Sequence, residues 1–313
     1  MDISVVVPTF NRREIVKRTI ASLFAQHFPS DKYEVVAVVD GSTDGTAEAL
    51  RQLNAPCRFK VVEQENRGLA GARNTGAQNA ESALLLFLDD DMLCDPGLVA
   101  AHVEAHKGRP RCIGFGCILL SPESPPSLAA ECFNRELGAF YLKRQTCPAD
   151  QELAIQCVFG NSSLPRELLT EAGGFDESFR MREDLELAHR LFQMGAEPCY
   201  VERAVAYQYY AKTCADLIRD SEAFAIADVM FARKHPEDKH RGQLNLLDRA
   251  PRWKRTLRRI AAASPMATDL VLAPVCSLGQ TFIHVPALRD MGVRALQIRR
   301  RIHWLHKVLA LNI

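Results

Sequence analysis

Three consecutive aspartates, Asp89, Asp90 and Asp91, follow the apolar run ALLLFL at residues 83–88. Neighbouring carboxylates repel one another unless a cation or solvent screens them. An Asp-x-Asp pair at a strand end is a good seat for Mg²⁺ or Mn²⁺, which takes one or two carboxylates and further ligands from a diphosphate. The simpler alternative is a solvated acidic turn before a helix near Pro96. The three aspartates therefore indicate a divalent metal site or a turn.

Three more carboxylates lie at the ends of predicted elements. Asp40 ends the second apolar run, at residues 33–39, and Glu183 and Asp184 begin a helical pattern after the turn GGFDES. Each has a structural alternative. Asp40 could start a turn before Gly41, and the acidic pair could stabilise the helix through its dipole.

Alternating strands and helices are predicted to position these carboxylates. Short apolar runs lie at 3–7, 33–39, 58–63 and 83–88, and helical patterns lie between them at 12–26, 44–53 and 69–80. Continuous apolar runs suit strands that are buried on both faces of a parallel sheet. The order predicts a doubly wound α/β sheet whose site lies at the carboxyl ends of the strands.

Beyond this region the pattern is more varied. The proline-rich run SPESPPS at 121–127 predicts a loop between a donor-side and an acceptor-side half. The later predictions are helices at 128–143, 165–172 and 183–194, a strand at 155–159, a strand pair near 198–210, and helices over 213–313.

Composition excludes several classes of protein. With 47% hydrophobic and 25% charged residues, the 313-residue chain matches an ordinary globular protein. Its ten cysteines show no Cys-x-x-Cys spacing, which argues against zinc and redox motifs. No apolar run reaches about 18 residues and no signal-peptide pattern opens the chain, so we expect a cytoplasmic location.

The net charge of +1 conceals an asymmetry. Residues 233–313 hold 16 basic and 5 acidic residues, a net charge of +11, which leaves −10 for residues 1–232. The two parts are therefore expected to meet different partners.

Five segments together resemble one enzyme family. They are VVVPTFNR (5–12), EVVAVVDGSTDGT (34–46), ENRGLAGARNTG (65–76), LFLDDDMLCDP (86–96) and GGFDESFRMREDLELAHRLFQMG (173–195). Their order and approximate spacing are similar to those of family 2 glycosyltransferases, over about two thirds of the chain. The resemblance implies a GT-A fold, a nucleotide-diphosphate sugar donor, a divalent metal and inversion at the anomeric carbon. It places the catalytic domain at 1–210, with donor half 1–120 and acceptor half 121–210, before a basic helical region at 211–313.

The resemblance also implies roles in donor binding. The loop after the first strand would line the nucleotide, through Pro8, Thr9, Asn11 and Arg12. Asp40 would accept a hydrogen bond from the base, a role that suits uracil N3–H. Arg73 and Asn74 would approach the nucleotide or diphosphate, where a guanidinium can bind phosphate oxygens in a fork. The alternative for this pair is a surface arginine beside an asparagine that faces its helix.

The resemblance assigns metal binding and proton transfer to the carboxylates. By the resemblance, Asp91 is the main metal contact, and Asp89 and Asp90 assist the metal or hold the ribose. An inverting transfer is a single displacement, so one carboxylate must take the proton of the acceptor hydroxyl. That role goes to Asp184, with Glu183 as the second choice.

One departure from the family concerns the metal. Many members place a metal-binding histidine in the strand that here reads AYQYY, and this chain offers Gln208 instead. A neutral amide is a poorer ligand, so metal affinity could be low. His189 lies five residues from Asp184 on the same helix, which turns it about 140° away, and we expect a structural role for it.

The basic carboxyl-terminal third suggests a membrane partner. Residues 252–259 and 294–307 place arginines beside Trp253 and Trp304. A basic amphipathic helix with an interfacial tryptophan suits an anionic surface, so peripheral contact with the inner face of a membrane is one expectation. The alternative is a helical cap whose apolar side packs on the catalytic domain. No recognised motif supports nucleic-acid binding.

The leading functional prediction is an inverting glycosyltransferase that uses a UDP-linked or similar donor and a glycan or lipid-linked acceptor in cell-surface glycan or glycolipid assembly. A sugar nucleotidylyltransferase would need a Gly-rich, Lys/Arg-bearing phosphate loop after the first strand, which VVVPTFNRR lacks. A degenerate, non-catalytic binder of nucleotide sugars draws support from Gln208 alone.

Overall fold

The computed structural model describes residues 1–146, 159–238, 260 and 262–311. The described chain forms two compact units. The first comprises Met1–Glu123 and Leu142–Tyr209, and the second comprises Ser124–Tyr141 and Tyr210–Ile313. Residues 124–141 thus group with the carboxyl-terminal region. The domain limits 1–210 and 211–313 stay a prediction.

An eight-stranded sheet forms the centre of the first unit. Its strands are β1 (Ile3–Thr9), β2 (Tyr33–Asp40), β3 (Arg58–Gln64), β4 (Leu84–Leu88), β5 (Met92–Cys94), β6 (Cys112–Leu120), β7 (Asn161–Pro165) and β8 (Glu197–Gln208). Their order in the sheet is β3-β2-β1-β4-β7-β6-β8-β5. The pairs β1–β2, β1–β4, β2–β3 and β6–β8 are parallel, whereas β7 runs antiparallel to both of its neighbours. The predicted α/β sheet with flanking helices is confirmed, but it is a mixed sheet, and its antiparallel pairs were not predicted.

Helices connect the strands. They are α1 (Arg13–Phe24), α2 (Thr46–Arg51), α3 (Gly68–Asn79), α4 (Leu98–Ala105), α5 (Leu128–Thr146), α6 (Arg166–Glu171) and α7 (Glu183–Gln193). The predicted helices are confirmed, with ends that differ by up to three residues. The four predicted strands of the amino-terminal half are confirmed as well.

The predictions were less successful after residue 90. The strand pair near 198–210 is wrong, because β8 is one continuous strand. Strands β5, β6 and β7 were not predicted. The strand predicted at 155–159 falls almost entirely outside the described residues.

Burial explains why the first strands could be recognised. Every residue of β1, β2 and β4 is buried and most of them are apolar, as in strands that are covered on both faces. Since the three strands are parallel, their carboxyl ends meet at one edge of the sheet. Thr9, Asp40 and Asp89 therefore lie at or next to that edge.

The second unit is helical where it is described. Besides residues 124–141, which include most of α5, it contains α8 (Cys214–Lys234), a 3-10 turn (Pro236–Asp238), α9 (Pro265–Thr281) and α10 (Pro286–Ala310). Thr213 and Asp216 form a capping box at the start of α8. Helices α9 and α10 approach closely at two glycines, since a Cβ on Gly279 would lie 2.8 Å from the Cα of Gly292.

The prediction of an interfacial Trp304 is wrong. Its side chain is 4% exposed, and its indole nitrogen donates to Oδ2 of Asp228 at 2.8 Å. Ile302 and Leu305 are buried as well, because this side of α10 packs in the core of the second unit. The basic segment 252–259 lies outside the described residues. Among the helices that the structure describes, none combines the length and apolar character needed to cross a bilayer.

Candidate functional site

The aspartates after β4 share a guanidinium from the loop after β1. Nη1 of Arg12 lies 2.9 Å from Oδ1 of Asp90 and 3.0 Å from Oδ2 of Asp91. Thr9, the last residue of β1, donates its hydroxyl to Oδ2 of Asp90 at 2.7 Å. The structure therefore brings Thr9, Arg12, Asp90 and Asp91 together at the carboxyl end of the sheet, as the sequence predicts.

Asp91 occupies an electrostatically unfavourable position. Burial, together with the charges of Asp89 and Asp90, raises the pKa of Asp91 to about 7, although Arg12 acts in the opposite direction. The amide nitrogen of Gln208 lies 3.2 and 3.3 Å from the two carboxylate oxygens of Asp91. The residue in place of the family's histidine thus lies beside Asp91 and donates hydrogen bonds to it. A bound cation would stabilise such a group of carboxylates.

Arg73 connects this cluster to the Glu-Asp motif. Its side chain, on α3, is 2% exposed, and its two terminal nitrogens donate to Oε1 of Glu183 at 2.7 Å and to Oδ1 of Asp89 at 2.9 Å. The guanidinium also lies over the ring of Phe175, 5.4 Å from its centre. The alternative of an exposed surface arginine is therefore wrong. Contact between Arg73 and a nucleotide or diphosphate stays a prediction.

The two acidic residues at the start of α7 have different surroundings. Glu183 is 3% exposed and faces Arg73, and burial and the nearby charge of Asp184 raise the pKa of Glu183 to about 7. Asp184 is partly exposed, and its Oδ1 accepts the N–H of Leu185 at 2.7 Å. Because Glu183 is buried in an ion pair, Asp184 is the better placed of the two to meet a substrate.

Strained backbone marks both loops of the site. Among the described residues, two positions other than glycine have positive φ, Asn11 at 49° and Arg182 at 60°. Asparagine tolerates the left-handed conformation, whereas arginine does so at a cost of about 1 kcal/mol. Such residues cluster at functional sites. Arg182 directly precedes Glu183, so the strained residue sets the first turn of α7.

Asp40 holds the start of α3. Its carboxylate accepts hydrogen bonds from the side chain of Gln64 at 2.6 Å and from the backbone N–H groups of Arg67 and Gly68, each at 2.8 Å. The residue is 3% exposed. A carboxylate has about four lone-pair positions, so three of them are occupied here. The predicted hydrogen bond to the base, which needs the fourth, stays a prediction.

Asn11 ties the loop after β1 to the loop after β2. Its backbone N–H donates to Oγ of Ser42 at 2.9 Å, and its Oδ1 accepts the N–H of Thr43 at 2.8 Å. Pro8 is buried within β1, opposite Val38 of β2. Both residues shape this edge of the sheet, and their contact with a nucleotide stays a prediction.

Asn74 fixes the turn that precedes α7. Its Nδ2 donates to the carbonyl oxygen of Phe175 at 2.9 Å, and its Oδ1 accepts the N–H of the same residue at 2.8 Å. Gly174 has φ of 78°, and a Cβ there would lie 2.8 Å from Oδ1 of Asn74. The second glycine of GGFDES is therefore required for this pair of hydrogen bonds. A contact of Asn74 with the donor stays a prediction.

The cluster fits a divalent metal in donor chemistry. Asp89 and Asp91 supply carboxylate oxygens, the ligands that Mg²⁺ and Mn²⁺ accept. The site contains five carboxyl groups and two guanidinium groups, so its net charge favours a cation. The carboxyl groups are those of Asp89, Asp90, Asp91, Glu183 and Asp184, and the guanidinium groups are those of Arg12 and Arg73. Among the described residues, the three aspartates do not bring one oxygen each to within 4.8 Å of one another. At most two of the three aspartates would therefore bind one ion, and phosphate or water would complete its coordination.

Sequence reasoning missed two supporting residues. The Oγ1 of Thr19 donates to the backbone carbonyl of Asp90 at 2.7 Å. A polar residue on the buried face of α1 is a signal that could have found it. A Cβ on Gly160 would lie 2.6 Å from Oδ2 of Asp89, so a glycine is needed there. No local pattern reveals such a long-range contact.

Comparisons with known proteins show similarity to glycosyltransferases. The family model "Glycosyl transferase family 2" matches residues 4–154. Validoxylamine A glucosyltransferase of Streptomyces hygroscopicus subsp. jinggangensis is 34% identical over 218 residues, which cover 62% of this chain and 52% of that protein. The chain thus matches about half the length of this relative.

Solved structures show the same fold. The mannosyltransferase PcManGT of Pyrobaculum calidifontis, in complex with GDP-Man and Mn²⁺, superposes on this chain with a TM-score of 0.66 at 21% identity. The alignment covers 100% of this chain and 88% of the PcManGT chain. Residues 1–349 of TarS from S. aureus, in complex with UDP, have a TM-score of 0.54 at 17% identity and cover 95% of this chain and 89% of their own. At such identities the likeness shows the fold, which is GT-A. Residues 4–154, just under half of the chain, are thus similar to glycosyl transferase family 2.

Proposed function

We propose that this protein is an inverting glycosyltransferase that moves a sugar from a UDP sugar to a hydroxyl group of a glycan or lipid-linked acceptor, in assembly of a cell-surface glycan or glycolipid. The observation that carries the proposal is the connected set of charges from Asp91 to Asp184. Arg12 joins Asp90 and Asp91, and Arg73 joins Asp89 to Glu183. Donor-side and acceptor-side carboxylates therefore lie in one continuous site.

Proton transfer is the task of Asp184. In a single displacement the acceptor oxygen forms a bond to the anomeric carbon while the bond to the diphosphate breaks, and the nucleoside diphosphate leaves with the electron pair. The carboxylate of Asp184 takes the proton of the acceptor hydroxyl. Glu183 is held by Arg73, and we assign to it the task of fixing α7 rather than that of the base.

A divalent cation, Mg²⁺ or Mn²⁺, bound at Asp91 and Asp89 would offset the negative charge that develops on the leaving diphosphate. Asp90, which accepts from Thr9 and Arg12, is assigned to the donor and not to the metal. Gln208 donates to Asp91 and orients that carboxylate.

The metal assignment predicts the effect of Asp91→Ala. The variant should lose metal-dependent donor binding and keep its fold, because Asp91 lies beyond the carboxyl end of β4 and outside the apolar core. UDP affinity is measured by calorimetric titration of UDP into wild type and variant, each in the presence of Mn²⁺ and in the presence of EDTA. If UDP affinity is the same in all four experiments, the cluster binds no catalytic metal.

We further propose that the second unit contacts an anionic membrane surface, through α9 rather than through Trp304. The outer face of α9 carries apolar side chains that are 78%, 80% and 68% exposed at Met266, Leu270 and Val271. Exposed apolar surface of this kind marks a binding face. The net charge of +11 over residues 233–313 favours anionic lipid as its occupant.

This surface predicts that Leu270→Glu with Val271→Glu weakens binding to vesicles. We expect wild type to cosediment with phosphatidylserine-containing vesicles, and the variant to lose about tenfold or more in partitioning, since two charges replace inserted apolar groups. Leu142→Glu, at a leucine that is 66% exposed in the first unit, is the matched control. Equal partitioning of wild type, variant and control would contradict the membrane role of α9.

A further inference from the structure

The guanidinium of Arg12 lies between two carboxylates, where a positive charge is favourable. Its Nη1 lies within 3.0 Å of both Asp90 and Asp91. Among the described residues, it is the positively charged group within salt-bridge distance of Asp91. In the protein without a metal, Arg12 is therefore the counter-ion that screens the adjacent carboxylates.

The three partners differ in freedom to move. The side chain of Arg12 is 42% exposed, whereas those of Asp90 and Asp91 are 10% and 13% exposed. Asp90 is also held by Thr9, and Asp91 by Gln208. Any separation of this ion pair therefore comes from the arginine, whose long side chain can rotate towards solvent.

The backbone beneath Arg12 is fixed. Asn11 is tied to Ser42 and Thr43 of the neighbouring loop, and the N–H of Arg13 donates to Oδ2 of Asp44 at 3.1 Å. The side chain can thus leave the aspartates while its Cα stays at the edge of the site. A guanidinium tethered in this way remains within the site after it leaves the carboxylates.

We propose that Arg12 is a resident counter-ion of Asp90 and Asp91 that the divalent cation displaces by binding to Asp91, and that the displaced guanidinium then pairs with the donor diphosphate. The inference rests on the proposed metal and nucleotide-sugar donor. Two cations that compete for the same carboxylate oxygens repel each other, so binding of one weakens binding of the other. A diphosphate is a natural second partner for the arginine, since guanidinium groups bind phosphate oxygens in a fork.

The proposal gives Arg12 opposite effects on metal and on nucleotide. In Arg12→Gln, Mn²⁺ alone should bind about tenfold more tightly, because its competitor is gone. At saturating Mn²⁺, UDP should bind about tenfold more weakly, because one charge-assisted contact is lost. Mn²⁺ affinity is measured from the electron paramagnetic resonance signal of free Mn²⁺, and UDP affinity by calorimetry.

Arg13→Gln is the matched control. It removes the same charge one residue away, from a side chain whose guanidinium pairs with exposed Glu14 and not with the aspartates. Mn²⁺ affinity in this variant should change less than about twofold. Melting temperatures of both variants, taken with and without Mn²⁺, verify folding. Addition of Mn²⁺ should raise the melting temperature of Arg12→Gln by more than it raises that of wild type.

The outcomes separate the inference from the proposed function. If wild type binds Mn²⁺ and Arg12→Gln binds it no more tightly, or if Arg13→Gln tightens binding equally, the displacement is refuted while the metal assignment stands. If neither wild type nor Arg12→Gln binds Mn²⁺ and UDP binding is metal-independent, the metal assignment itself fails and the displacement fails with it.

Discussion

Asp184→Asn is expected to reduce sugar transfer by about 10²- to 10⁴-fold while donor affinity and melting temperature stay near those of wild type. Asparagine has nearly the same shape, and its amide oxygen can still accept the N–H of Leu185 that Oδ1 of Asp184 accepts. It cannot take a proton from an acceptor hydroxyl. Initial rates of nucleoside diphosphate release, with donor binding and melting curves on the same preparation, measure the three quantities.

A second acidic residue of the same region is the control for Asp184. Asp176 caps the turn before α7 through the N–H of Ser178, and Asp176→Asn should leave transfer within about twofold of wild type. A purely structural Asp184 predicts another pattern, in which transfer follows the folded fraction. Near-normal transfer by a well-folded Asp184→Asn would move the base to Glu183 or elsewhere.

Arg73→Met is expected to destabilise the protein by about 3 to 5 kcal/mol, the usual cost of removing one partner of a buried ion pair. It leaves Glu183 and Asp89 without their shared partner, and the buried Glu183 then lies near the charges of Asp184 and Asp89 with no counter-ion. Chemical denaturation at pH 8 measures the loss. Arg67→Met should cost less than about 1 kcal/mol, because Arg67 is half exposed and pairs with Glu177 at the surface.

The pH dependence of the Arg73 variant follows from the raised pKa of Glu183. A carboxyl group whose folded-state pKa lies above its unfolded value of 4.5 binds more protons when folded, so it favours folding below that value and opposes it as pH rises through about 7. Loss of Arg73 raises the folded-state pKa further. The destabilisation should therefore be smaller at pH 5 than at pH 8. A loss that is equal at both pH values, or no larger than that of Arg67→Met, would contradict the buried ion pair.

The sequence is informative where a buried strand ends in a carboxylate. Asp40 and Asp89 follow continuous apolar runs, and a parallel sheet necessarily brings such strand ends to one edge. The meeting of Arg12 with Asp90 follows the same logic, because β1 and β4 are neighbours. The amino-terminal half of the site was predictable for this reason.

Contacts that span the chain were not predictable in this way. The partner of Arg73 lies 110 residues away, and no periodicity distinguishes a buried arginine on α3 from an exposed one. For Trp304 the error was the reverse, because a buried residue was predicted to be exposed. A tryptophan among arginines is typical of an interfacial helix, and its buried partner Asp228 is visible only in the structure. Burial of a polar or aromatic side chain depends on a distant partner, which local patterns do not contain.

Strand β6 was missed for a related reason. Gly114 and Gly116 lower the strand propensity of CIGFGCILL. Both glycines serve the packing of the sheet, since a Cβ on Gly116 would lie 2.2 Å from Nδ2 of Asn161 and one on Gly114 would lie 2.6 Å from Oγ of Ser163. A glycine in a strand often marks such a close approach, which becomes visible only when the neighbouring strand is known.

The central claim is that this chain transfers sugar from a metal-bound nucleotide donor. Its most direct test is the release of nucleoside diphosphate from a panel of UDP-, GDP- and dTDP-sugars by the wild-type protein, with Mn²⁺ and with EDTA, and with lipid-linked and free glycan acceptors. We predict release from a UDP sugar that requires both Mn²⁺ and an acceptor. Nucleotide-sugar binding without turnover of any donor, in a well-folded preparation that holds Mn²⁺, would contradict the claim and indicate a non-catalytic binding protein.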